Sequence, residues 1–157
     1  MAAQPNLHAV RFDLEVMIAR SVADVFAYVS EVTNLPSWQE SAVEAEWIEP
    51  RSSFRERRSF LGHKAELELE VTAYEQDRRF DVKAVSGPAR FAVRHAFRPA
   101  DGGTLLHVTA KAAGVTAAMA KKPAERQFRS DLERLKEILE RRDEESPSDR
   151  PPRLADE

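Results

Sequence analysis

The chain has 157 residues, 42% hydrophobic and 32% charged, a net charge of −3 and no cysteine. That length is one domain with a normal core, the missing cysteines exclude disulfides, thiolate nucleophiles and Cys-bound zinc, and the acidic balance argues against a general nucleic-acid role. No basic segment followed by an apolar run opens the sequence and no apolar run reaches membrane-spanning length, so a cytoplasmic protein without stable membrane insertion is expected.

Residues 1–8 lack periodicity, and a disordered N-terminus is expected there. Val10, Phe12, Leu14, Val16 and Ile18 then alternate with Arg11, Asp13 and Glu15, which predicts a strand with one buried face. Ser21 opens a helix, with Asp24 three residues on as an imperfect capping box. Val22, Val25, Phe26 and Val29 fall on one face of that helix. A second helical turn is predicted around Leu35–Gln39, with Pro36 pre-set for its first turn.

From Ser41 to Ala112 the period is close to two. Val43, Ala45 and Trp47 are read as sharing a face, and a strand follows from Phe54 to Leu61. Past Gly62, Ala65, Leu67, Leu69 and Val71 alternate with Glu66, Glu68 and Glu70. Phe80, Val82 and Ala84 form the next strand, and Gly87–Pro88 end it. Phe91, Val93, His95 and Phe97 alternate with Ala92, Arg94 and Ala96, and Asp101–Gly102–Gly103 make a hairpin turn. Leu106, Val108, Ala110 and Ala112 close the series. Every later link is short, so neighbouring strands are antiparallel. A last helix over Pro123–Arg142 carries Phe128, Leu132, Leu135 and Leu139 on one stripe, which must cover one face of the sheet. Residues 143–157, with Pro147, Pro151 and Pro152 among charged and small residues, are expected to be a disordered tail.

The architecture is therefore α+β: a curved seven-stranded antiparallel sheet, two short helices and a long C-terminal helix. The segments SVADVFAYVSEVTNLPSWQES (Ser21–Ser41), FLGHKAELELEVTAYEQDRRFDVKAVSGP (Phe60–Pro88), FRPADGGTLLHVTAKAAG (Phe97–Gly114) and DLERLKEILE (Asp131–Glu140) resemble the helix-grip fold of the START-like (SRPBCC) superfamily. They are most similar to its small bacterial members described as polyketide cyclase/dehydrase and lipid-transport proteins. The resemblance implies an internal cavity for a hydrophobic small molecule and no metal or redox cofactor.

With the apolar faces inward, the expected lining is Phe54, Phe60, Leu67, Leu69, Phe80, Val82, Phe91, Val93, Phe97, Leu106 and Val108 from strands. Phe26 and Trp38 come from the short helices, and Phe128, Leu132 and Leu135 from the long one. A packed core would give the same pattern. Glu56, Arg58 and His95 share the inward parity. Arg58 could hold a carboxylate or enolate, with Glu56 or His95 moving protons. Equally, Glu56 and Arg58 are i,i+2 neighbours able to pair with each other, and His95 could be a neutral core histidine on a backbone carbonyl.

The strand after Gly62 offers no inward acid or base, which departs from what aromatase/cyclases of this fold are expected to carry. His8, His63, His95 and His107 lack metal-ligand spacing, and no nucleophile elbow is present. The outward arginines Arg55 and Arg57 are expected to pair with Glu66, Glu68 and Glu70 across the strands. Binding of a lipid, isoprenoid or polyketide-like compound is the expected function. A cyclase/dehydratase using the same cavity and a protein-interaction module are the alternatives.

Overall fold

The computed structural model describes residues 10–60, 63–87, 90–113 and 121–144. In chain order these form β1 (Val10–Ile18), α1 (Val22–Val29), a 3-10 turn (Val32–Asn34), α2 (Leu35–Trp38) and β2 (Ala42–Glu49). Then come β3 (Ser53–Phe60), β4 (His63–Glu75), β5 (Arg79–Ser86), β6 (Phe91–Ala100), β7 (Gly103–Ala112) and α3 (Lys121–Glu144). The strands make one antiparallel sheet in the order β1-β7-β6-β5-β4-β3-β2. The α+β helix-grip architecture is thus present, with the 3-10 turn as an addition the periodicity did not announce. The expectations for residues 1–8 and 145–157, for Gly62 and Pro88, and for the Phe60 side chain lie outside the described residues.

Local chemistry explains the element boundaries. Ser21 caps α1, its Oγ accepting from the Asp24 backbone N–H at 3.1 Å, while the Asp24 carboxylate turns aside to Arg20 at 2.8 Å. Asp101 and Gly102 both have positive φ, 46° and 79°, the primed turn that suits a two-residue hairpin. At Gly103 a Cβ would stand 2.3 Å from the Ile18 carbonyl oxygen, so the crossing of β7 and β1 admits no side chain.

One expected face is corrected. Val43 does not share the inner face with Ala45 and Trp47; it is 48% exposed, and Ala42 is buried instead. A register shift between Ala42 and Glu44 inserts a residue and rotates Val43 outward. A second shift between Trp47 and Glu49 leaves Ile48 exposed as well. Both bulges lie on an edge strand, where they discourage pairing with another chain.

The outer face is a charged lattice. Arg57 pairs with Glu66 as expected, at 3.6 Å, but its shorter bond is to Glu44 of β2 at 2.9 Å. Arg55 turns wholly to Glu46 at 2.5 Å. Further along, the long side chains of Arg79 and Arg94 flank Asp81 and bury it on this side, where alternation alone predicts exposure.

Helix α3 joins the two borders of the sheet. The Phe12 and Phe128 rings meet edge-on at 5.3 Å, Lys136 Nζ donates to the Met17 carbonyl at 2.7 Å, and the Ala19 N–H donates to Glu140 at 2.9 Å. These fix α3 along β1. On its other flank Asp131 accepts from the Glu40 N–H at 3.2 Å, tying it to the end of α2 beside β2. The curved sheet therefore wraps around α3, and Leu132, Leu135 and Leu139 are buried between them.

Candidate functional site

The inner face has two ends. The α1 end carries the β2–β3 and β4–β5 turns; the opposite end carries the start of α3, of β6 and of β4. Most of the expected lining is buried in one core: Phe26, Trp38, Phe54, Leu67, Leu69, Phe80, Val82, Val93, Phe97, Leu106, Val108, Leu132 and Leu135. Phe91 and Phe128 are only half-buried, as are Ala65 and Ala124, and all four lie toward the α3 N-terminal end. Apolar surface that faces inward yet stays partly open is what a ligand entrance presents.

The polar residues divide. Arg58 donates to both oxygens of Glu56, at 2.7 and 3.2 Å, to Ser41 Oγ at 2.7 Å and to the side-chain oxygen of Gln39. Glu56 is 2% exposed. Strand alternation puts both residues of this pair on the inner face of β3, and the residues following α2 supply the remaining acceptors. Asp131 of α3 lies beside the cluster, accepting from Gln127 at 2.9 Å and from the Glu40 N–H, and it feels the Arg58 charge. Burial raises the Asp131 carboxyl above the ordinary carboxylate range, against the opposing pull of Gln127, the Glu40 N–H and the Arg58 charge. Asp131 borders the cluster but was not singled out in the sequence, because its heptad position reads as a helix flank.

His95 is elsewhere. Its Nδ1 donates to the Phe80 carbonyl at 2.8 Å, and burial drives its pKa down although that bond and Asp81 favour the charged form. It is a neutral core histidine. Strand register gives the separation: Arg58 pairs with Ala65 of β4, whereas His95 pairs with Phe80, which pairs with Tyr74 of β4. Nine residues of β4, one of them the extra residue of the bulge between Val71 and Ala73, make eight ladder steps of about 3.3 Å and place the two rows roughly 26 Å apart along the strand. Arg58, Glu56 and His95 share a face but do not converge on one reacting atom.

Trp38 presents a further polar atom. It is 1% exposed, and its indole Nε1 has no acceptor among the described residues. Among those residues no group of histidine and carboxylate side chains is placed to hold a metal ion, and no helix is long and apolar enough to cross a membrane.

A different concavity opens at the α1 end. It is a cleft of about 320 Å³, open to solvent, and is lined by Phe26, Ala27, Ser30, Glu31, Trp47, Pro50, Arg51, Tyr74 and Gln76. Of these only Phe26 was expected from the sequence. The others come from α1 and the residues after it, from β2 and its turn into β3, and from β4 and its turn into β5, and no local pattern links them.

A curved antiparallel sheet wrapped around one long C-terminal helix, with a polar cluster near its apolar interior, defines the START-like class of ligand-binding folds. The sequence matches the family described as "Polyketide cyclase / dehydrase and lipid transport" over residues 9–140, and the chain belongs to that family. Solved structures agree in fold. The Zhui aromatase/cyclase from Streptomyces sp. R1128 superposes with a TM-score of 0.75 at 15% identity, covering 90% of this chain and 99% of that one. A START superfamily protein from Mycobacterium smegmatis gives 0.72 at 18% identity, covering 85% and 98%. The DR_A0006 protein from Deinococcus radiodurans gives 0.68 at 21% identity, covering 83% and 97%. No curated protein matches the sequence significantly.

Proposed function

We propose that the protein binds a hydrophobic small molecule, of lipid, isoprenoid or polyketide-like character, between the inner face of the sheet and α3, without transforming it. The observation that carries this reading is the roughly 26 Å between Arg58 and His95 along β4, with Arg58 already engaged by Glu56, Ser41 and Gln39. General acid–base catalysis needs its proton-transfer group within hydrogen-bond reach of the group that stabilises the developing charge. Here Arg58 is already engaged, and His95, held by its Nδ1 on the Phe80 carbonyl, lies too far along the sheet to act with it. A cyclase or dehydratase reading therefore has no observation in its favour beyond the family itself.

The half-buried Phe91 and Phe128 support entry at the α3 N-terminal end. The Trp38 N–H, without an acceptor among the described residues, supports a ligand with at least one acceptor oxygen, because a buried donor left unmatched costs about 1–3 kcal/mol.

Native mass spectrometry of the freshly purified protein, compared with its denatured mass, tests the proposal. An adduct that leaves on denaturation and is displaced by a long-chain fatty acid or a polycyclic phenol supports it. A bare mass that stays bare on incubation with either compound refutes it.

A further inference from the structure

The cleft at the α1 end shares Phe26 with the interior but opens separately from it. It lies at the opposite end of the sheet from Phe91 and Phe128, and it has a chemistry of its own. Its floor is aromatic. Trp47 is locked twice, its Nε1 donating to Glu31 Oε2 at 3.0 Å and its ring packed edge-on against Phe54 at 5.7 Å. Tyr74 is held edge-on between Phe26 at 5.4 Å and Phe80 at 6.1 Å. Two rings fixed in this way lose little freedom when a third is laid against them.

The rim is charged, and unevenly so. Arg51 sits in the β2–β3 turn with φ at 66°, a left-handed conformation that a side chain of this size rarely adopts. That backbone carries its guanidinium over the Tyr74 ring, 5.2 Å from the centroid. Unlike Arg55 and Arg57 on the next strand, Arg51 has no carboxylate partner among the described residues. Stacking occupies the flat face of a guanidinium and leaves its N–H edge open to bind a carboxylate bidentately. Glu31 is the one acid in the cleft. Its Oε2 already accepts from Trp47 Nε1, from the Thr33 N–H at 3.3 Å and from Thr33 Oγ1 at 2.9 Å. Three donors spread its charge and tie it to the task of holding Trp47.

We propose that this cleft is a second binding site, for a small aromatic carboxylate, with Arg51, seated on Tyr74, holding the carboxylate and Trp47 lying against the ring. About 320 Å³ suits a ligand of one or two rings, at the lower limit for small-molecule sites. The preference for an acid over a neutral ring rests on Arg51 alone, since Glu31 opposes it.

The experiment uses the full chain, labelled with nitrogen-15, titrated with 2-naphthoate and with its uncharged counterpart 2-naphthamide. The chain has two tryptophans, so the indole N–H signals of Trp47 and Trp38 report on the cleft and the interior separately, with Trp47→Phe assigning them. The expected result is a shift of the Trp47 signal with Trp38 unmoved, and a preference for naphthoate of about tenfold, the order contributed by one charge-assisted bidentate contact. Arg51→Gly should abolish that preference while the spectrum stays fully dispersed, since glycine takes a φ of 66° without strain. Equal binding of the two probes, a preference surviving in Arg51→Gly, a shift at Trp38 in place of Trp47, or no binding at millimolar probe overturns the proposal.

Discussion

Arg58 grips Glu56 through two nitrogens, Nε to one carboxylate oxygen and Nη2 to the other, from a position two residues further along the same strand. With Glu56 only 2% exposed, neither charge can be removed singly without stranding its partner. Arg58→Ala is expected to destabilise the protein by about 3–5 kcal/mol, measured by urea denaturation. The double variant Glu56→Leu/Arg58→Met should cost less than Arg58→Ala, because two apolar side chains of similar length leave no buried charge. A double variant weaker than the single would mean the pair contributes attraction beyond its desolvation cost.

His95 sets an acid limit on stability. An unfolded histidine titrates near pH 6.5, and burial holds the folded group below that value. The unfolded chain therefore takes up the proton first as pH falls. Stability is complete above about pH 6.5 and declines by about 1.4 kcal/mol per unit below it, until the folded pKa is reached. His95→Gln retains a donor for the Phe80 carbonyl but cannot titrate, and its stability should lack this slope between pH 6.5 and 5.

Asp131 works in the opposite sense. Its carboxyl is raised by burial, so the folded state holds that proton more tightly than the unfolded chain and is penalised once the group ionises. Asp131→Asn keeps an oxygen for the Glu40 N–H and for Gln127. Its melting temperature at pH 7 should exceed that of the parent, with the advantage gone near pH 3, where both proteins are neutral at this position. A melting temperature lower at pH 7 would show that attraction to Arg58 outweighs the cost of burial.

The two hairpin glycines are not equivalent. At Gly102 a Cβ meets open space and only the φ of 79° resists it, whereas at Gly103 it meets the Ile18 carbonyl oxygen at 2.3 Å. Gly102→Ala should cost about 1 kcal/mol. Gly103→Ala should cost about 2–3 kcal/mol, since β1 itself has to shift. Thermal melts of the two variants give the order directly.

Several of these features were legible in the chain. Period-two runs such as Ala65, Leu67, Leu69 and Val71 located the inner face, and the Asp101–Gly102 pair located its turn. Both readings offered for His95 and for Glu56–Arg58 were local, and the contacts named in the self-contained one, Arg58 to Glu56 and His95 to the Phe80 carbonyl, are present. What escaped was whatever depends on register. The bulge that turns Val43 outward leaves no mark on an alternating run, and Asp81 is buried by arginines two strand positions and one strand away. The distance from Arg58 to His95 requires the pairing of three strands in succession. The cleft around Trp47 and Arg51 joins segments that no periodicity connects.

The fastening of α3 is lopsided. Over its C-terminal half Lys136, Leu139 and Glu140 engage Met17, Arg20 and Ala19 through backbone-directed hydrogen bonds, while the N-terminal turns rely on the Phe128 ring against Phe12 and on Asp131 beside Glu40. A rod pinned at one end moves most at the other. Amide exchange along the helix should accordingly slow from residues 121–128 to residues 132–140, and the fast-exchanging turns lie at the end of the fold that carries Phe91 and Ala65.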